Sequence, residues 1–185
     1  MTNKEQFCRI VRERSKEHKK AVNLMLQNGL YGQAISILRQ ELDSMVRVIF
    51  LLEEADLSVR SHFIGQTLKN KKWTLPNSRT IITDRHMVEI ADFMFGWTQS
   101  VYRLGCAFIH LSPMNDYKNE NPFLQLTQEE KDEVREHLNN YHSFPLTNDL
   151  TMQTVSPYLQ RVFTKVSDNL EYYIGGLEND RVGDL

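Results

Sequence analysis

The sequence predicts an all-α fold, an up-and-down bundle of five to six helices. Three observations predict it. Apolar residues recur at spacings of three and four along the chain, and no stretch alternates strictly enough to read as a strand. Helix start and stop signals punctuate the sequence at intervals that suit short connections. With 185 residues, 41% of them apolar and 25% charged, the chain can bury a real core as one domain and is not a disordered polymer. That domain is expected over residues 1–177, with 178–185 a loose acidic tail.

The first helix is expected from Asn3 to Gln27, with Phe7, Ile10, Val11, Ala21, Leu24 and Met25 on its buried side. Asn28-Gly29 supplies its stop, because both residues tolerate a left-handed backbone. The second helix, about Gly32 to Glu54, is apolar on almost its whole circumference, which makes it the central helix of the bundle. Two charges, Arg39 and Glu41, lie among its apolar positions, and each needs a partner if buried. A shorter helix follows at Leu57–Lys69, broken at Lys72–Asn77 by a segment containing Pro76.

Asp84 reads as the cap of a long apolar helix, Arg85 to Leu111, ended by Pro113. An Asn-rich loop, Met114–Leu126, comes next. Thr127-Gln128-Glu129-Glu130 has the form of a capping box and opens a surface helix through about Asn140. Glu133 and His137 fall on its highly charged face and read as solvated. Ser156-Pro157 reads as the cap and first position of a last helix, which runs to about Ile174 and stops at Gly175-Gly176.

Composition narrows the function classes. The net charge of −2 gives no global case for nucleic-acid binding. Locally, residues 4–20 are basic, and Lys69, Lys71 and Lys72 precede Trp73, a weak candidate RNA-binding cluster. The two cysteines, Cys8 and Cys106, lie too far apart for a metal framework or disulfide scaffold and fit a reducing cytoplasm. The N-terminus is charged from the start, so no secretory leader is expected. The most apolar runs are too short to span a bilayer, so no membrane partner is expected. No phosphate-cradling glycine loop and no Glu-x-x-His pair occurs; neither a cofactor nor a metal is expected.

The chemistry concentrates on the helix read at 85–111. At 100° per residue, Asp92, Gln99, Arg103 and His110 fall within about 40° of one another, flanked by the small residues Gly96, Cys106 and Ala107. Arginine is a fixed, forked cation suited to phosphate, and histidine exchanges protons near neutral pH. The pair suits attack of an RNA 2′-hydroxyl on its own phosphate, without a metal. The two residues are two turns apart, about 10.5 Å in rise, so a two-fold dimer packing this stripe on its copy would bring them together more readily than one helix alone. The bland alternative is that Arg103 and His110 satisfy internal acids such as Glu41 or Asp92.

The segment VYRLGCAFIHLS, Val101–Ser112, resembles the signature helix of HEPN-type domains, in which an Arg precedes a His by four to six residues; here the six are Leu104–Ile109. AISILRQELDSMVRVIFLLEEAD, Ala34–Asp56, is similar to the central helix of bacterial HEPN-like proteins, where a mid-helix Arg and Glu recur. The resemblance implies a HEPN-like bundle that dimerises around the signature helix. It implies a metal-independent endoribonuclease, a toxin or phage-defence component with an antitoxin or defence-system partner, and Arg103 and His110 as its catalytic pair. Arg39, Glu41, Asp92 and Gln99 would support the pair inside the bundle, and Asp116 and Tyr117 would line the cleft mouth. The resemblance departs at Leu104, where many active members carry a polar residue. An inactive HEPN-like homodimer that binds RNA or a protein partner therefore stands beside the nuclease. GLYGQAISILRQEL, Gly29–Leu42, looks in part like one tetratricopeptide helix, but no second copy follows about 34 residues on.

Overall fold

A computed structural model of the protein describes residues 1–181, with the backbone alone at 93–95. Within them the chain forms seven α-helices: α1 (Asn3–Gln27), α2 (Tyr31–Glu53), α3 (Leu57–Leu68), α4 (Asp84–Phe95), α5 (Thr98–Ile109), α6 (Gln128–His142) and α7 (Met152–Glu178). Two single 3₁₀ turns, Pro113–Asp116 and Pro122–Gln125, shape the connection from α5 to α6. The only β-type pairing among the described residues is one isolated bridge between Thr74 and Ile81. Among the described residues no helix is long and apolar enough to cross a membrane.

α2 is the centre. Leu42, Met45, Val46, Val48, Ile49 and Leu51 on it are fully buried, and α1, α4, α5 and α7 all pack against it. Its buried side chains, at about 1.5–3 kcal/mol each, supply a large share of the driving force. α1 runs antiparallel to it, because Arg14 reaches Ser44 while His18 reaches Glu41. α1 is also antiparallel to α7: Lys4 pairs with Asp180, Arg12 with Glu171 and Glu178, and Ser15 lies beside Ser167. α2 and α7 therefore run the same way, and Leu52 packs on Gly176. The arrangement departs from strict up-and-down alternation, under which α2 and α7, five helices apart in order, would run antiparallel.

Two further expectations need correction. The helix read at 85–111 is broken: Gly96 takes a left-handed conformation (φ 66°) and ends α4, donating its N–H to Asp92 O at 2.7 Å. Only glycine adopts this geometry cheaply, so a residue read as a small spacer is a terminator. The last helix starts earlier and ends later than expected. Thr151 caps it with a reciprocal Thr151/Thr154 box, and Pro157 sits inside the second turn. Burial of Met152 and Val155 offsets the backbone bond that proline forfeits. At the other end the helix passes through Gly175-Gly176 because Leu177 is fully buried and Glu178 binds Arg12. Each glycine costs about 1 kcal/mol in a helix, less than one buried leucine returns.

The core has two clusters. The larger lies between α1, α2, α3, α4 and α7. The smaller gathers Ile35, Phe108, Met114, Phe123, Phe144 and Val155 under the α5–α6 connection. Of the segment expected as a tail, Glu178 and Asp180 are ion-paired to α1 and Arg181 O accepts from the buried Arg60; residues 182–185 lie outside the described residues.

Candidate functional site

The end of α5 is built by its capping. Ser112 Oγ donates to Ala107 O at 2.7 Å, and Asn115 Nδ2 donates to His110 O at 3.0 Å. These bonds satisfy carbonyls that a helix terminus leaves orphaned and fix the backbone of His110, which is the C-cap in an extended conformation. The His110 side chain is exposed and, among the described residues, makes no side-chain hydrogen bond or ion pair. Ile109 and Leu111 flank it, 46% and 98% exposed.

Arg103, two turns back, also reaches water; its side chain is 43% exposed. It turns toward α6, where Nη1 donates to Glu130 at 3.2 Å and Nη2 binds Glu133. Glu130 does two jobs. One carboxylate oxygen binds Arg103; the other accepts from Thr127 N at 2.9 Å and completes the α6 capping box. Glu133 also accepts from Ser100 Oγ at 3.4 Å. Arg103 is thus paired, but with α6 carboxylates at the surface rather than with Glu41 or Asp92. Glu133, read as solvated from sequence, faces α5. His137 turns inward as well, with Nδ1 buried and unpartnered beside an apolar hollow.

The other residues singled out from sequence fall in several places. Asp92 belongs to α4, and its carboxylate accepts from Thr98 Oγ1 and Gln99 N, both at 3.0 Å, which ties the start of α5 to the end of α4. Gln99 is exposed. Arg39 is buried under α5, 4.0 Å from the Tyr102 ring, with Asp43 at 3.9 Å and Asp84 at 4.0 Å. Glu41 is fully buried on the α1 side of α2, bound to Ser15 and to His18 Nδ1 at 2.7 Å. Asp116 accepts from Asn119 in the 3₁₀ connection, and the Tyr117 ring packs 5.9 Å from Phe108. Lys69, Lys71 and Lys72 are exposed, whereas Trp73 is 2% exposed, stacked on Phe63 and donating Nε1–H to Thr67 at 2.7 Å. Its ring is part of the core and offers no face to a base.

Burial and the nearby Glu178 push the Cys8 thiol up to about 11, so it stays protonated at neutral pH. Among the described residues no group of three or more His, Cys, Asp or Glu side chains is arranged to hold a metal ion.

Sequence missed Glu130, Glu133, Ser112 and Asn115 as neighbours of the pair. The capping box located Glu130, but its second oxygen acquires a role only when α6 folds back on α5.

Fold and site together define an all-helical protein whose central helix carries buried charges and whose α5 ends in an exposed histidine. No family model, no curated protein and no solved structure matches the chain.

Proposed function

We propose that the chain is a HEPN-like, metal-independent endoribonuclease domain acting as a homodimer, with Arg103 and His110 working on an RNA phosphodiester. The observation that carries the reading is the uncommitted His110 imidazole, exposed to water at the end of the helix that also presents Arg103. In the reaction, the 2′-oxygen bonds to its own phosphorus and the bond from phosphorus to the 5′-oxygen breaks. An imidazole removes the 2′-hydroxyl proton, and an imidazolium or water protonates the departing 5′-oxygen. The guanidinium stabilises the charge building on the phosphoryl oxygens. The pair lies about 10 Å apart along α5, so two subunits would combine one copy's Arg103 with the other's His110. Ile109 and Leu111 are the apolar side chains that such a pairing would cover. The carboxylates on Arg103 are no obstacle, since an exposed ion pair is worth about 0–1 kcal/mol and a phosphate can replace it.

A second reading is favoured by one observation. Arg103 already has two anionic partners, Glu130 and Glu133, as in a structural residue, and a non-catalytic homodimer that binds RNA or a protein partner would use the same surface. The test is cleavage of labelled single-stranded RNA in EDTA by the wild type, His110→Ala and Arg103→Ala. Cleavage that survives chelation and falls at least 100-fold in both variants supports the nuclease. Equal background in all three, with folding intact, removes it and leaves the binding module.

A further inference from the structure

We propose that the cleft between α1, α2 and the 69–84 connection binds an amphiphilic anion, a phosphate head on a hydrocarbon body. The cleft is separate from the Arg103/His110 surface, and the proposal does not rest on the nuclease reading. Its volume is about 670 Å³, within the range of ordinary small-ligand pockets. Phe7, Val11 and Trp73 form an apolar floor. Ile10 and Ile81 in its wall remain 41% and 46% exposed, apolar surface that a ligand would cover.

The rim is cationic, and most of its charge is uncompensated. Of the four cations, Arg47 is committed: it binds Asp84, lies 3.3 Å from Asp43, and stacks over Trp73 at 5.3 Å. Among the described residues Arg14 has only neutral partners, Ser44 Oγ at 3.2 Å and Gln40 at 3.5 Å. Lys71 and Lys72 line the cleft and, among the described residues, make no ion pair or side-chain hydrogen bond. Among the described residues Asp84 is the only acid lining the cleft, and Arg47 already holds it. Three cations around one apolar hollow repel one another, and an anion relieves that repulsion.

The neutral polar groups decide the body of the ligand. Thr67 Oγ1 donates to Phe63 O and accepts from Trp73; Ser44 donates to Gln40 O and accepts from Arg14; Thr83 caps α4 through His86 N. With the Thr67 and Ser44 hydroxyls engaged, the rim amide of Asn70 and the Thr83 O–H are the neutral polar groups left to a ligand, too few to satisfy a sugar. An apolar body seats at no hydrogen-bonding cost, whereas a polar one would be desolvated without compensation. Inorganic phosphate would leave Ile10 and Ile81 wet, and a neutral hydrocarbon would leave the cations unpaired.

The test is calorimetric titration of the full chain with n-octyl phosphate and 1-naphthyl phosphate, using inorganic phosphate and 1-octanol as head-only and body-only controls. At least one of the two organic phosphates should bind tenfold or more tightly than either control, and the better of the two identifies an alkyl or an aryl body. The double variant Lys71→Glu/Lys72→Glu alters exposed side chains and leaves the circular dichroism unchanged; it should weaken binding at least tenfold. Ile81→Asp should do the same through the wall. Organic phosphates that bind no better than the controls, or an affinity indifferent to the charge reversal, would overturn the proposal.

Discussion

Arg39 and Glu41 are two residues apart on one helix, yet they face different neighbours. Glu41 looks into α1 and is closed over by Ser15 and His18; Arg39 looks into α4 and α5 and lies on Tyr102. Their burial was legible from sequence, since both interrupt an apolar circumference. Their partners were not, because His18 and Tyr102 are 23 and 63 residues away from their respective charges and only tertiary packing brings them in. Removing one partner of such a buried set strands the rest, which costs about 3–5 kcal/mol. Glu41→Ala should therefore lower unfolding free energy by about that much in urea titration, and Glu41→Gln, which keeps the shape, by clearly less. His142 gives a second residue-scale prediction. Burial first, then Lys165 and Arg161, hold its imidazole below the usual histidine range. The folded state then binds that proton less readily than the unfolded state does. Stability is complete above the ordinary value of about 6.5 and falls as pH drops from there toward the depressed folded value. The loss in urea midpoint between pH 7.5 and 5.5 should shrink in His142→Leu; an unchanged loss would assign the acid sensitivity elsewhere.

At the scale of elements, α5 and α2 approach one another through Gly105. A Cβ placed there would stand 2.4 Å from Arg39 Cβ, closer than any real contact, and the obstacle is the root of the side chain rather than its mobile end. Gly105→Ala should destabilise by about 1–3 kcal/mol through overpacking, despite alanine's higher helix propensity. Equilibrium denaturation at neutral pH measures it; a neutral or stabilising result would mean that α5 can slide on α2. Helix caps were the most readable signals: Thr127/Glu130 forms the box its spelling announces, because capping needs only four consecutive residues. Gly96 and Gly175-Gly176 were ambiguous for the converse reason. A glycine can end a helix or admit a neighbour, and the choice depends on what packs there. At Gly96 the Asp92 carboxylate receives the new helix, whereas at Gly176 the Leu52 side chain fills the space.

Over the whole molecule, the two core clusters do not anchor the helices equally. α2 buries residues along its full length, whereas on α6 only Leu138 is buried, and it is still 7% exposed. α6 covers an apolar hollow of about 70 Å³ lined from α2, α5 and α7, and its other attachments are surface contacts: Arg103 on Glu130 and Glu133, and Lys165 4.1 Å from the Tyr141 ring. Helices with few buried apolar contacts open locally at low free energy. Hydrogen exchange should accordingly release α6 amides at least tenfold faster than those of α2. Exposed ion pairs contribute about 0–1 kcal/mol, so Arg103→Gln should speed exchange in α6 by up to about fivefold and leave α2 unchanged. The same measurement tests the functional coupling. An anion that takes Arg103 removes those attachments just as the substitution does, so short single-stranded RNA should accelerate α6 exchange in the wild type and have no further effect on the Arg103→Gln variant. RNA that slows exchange in α6, or acts equally on both proteins, would mean that it does not engage Arg103.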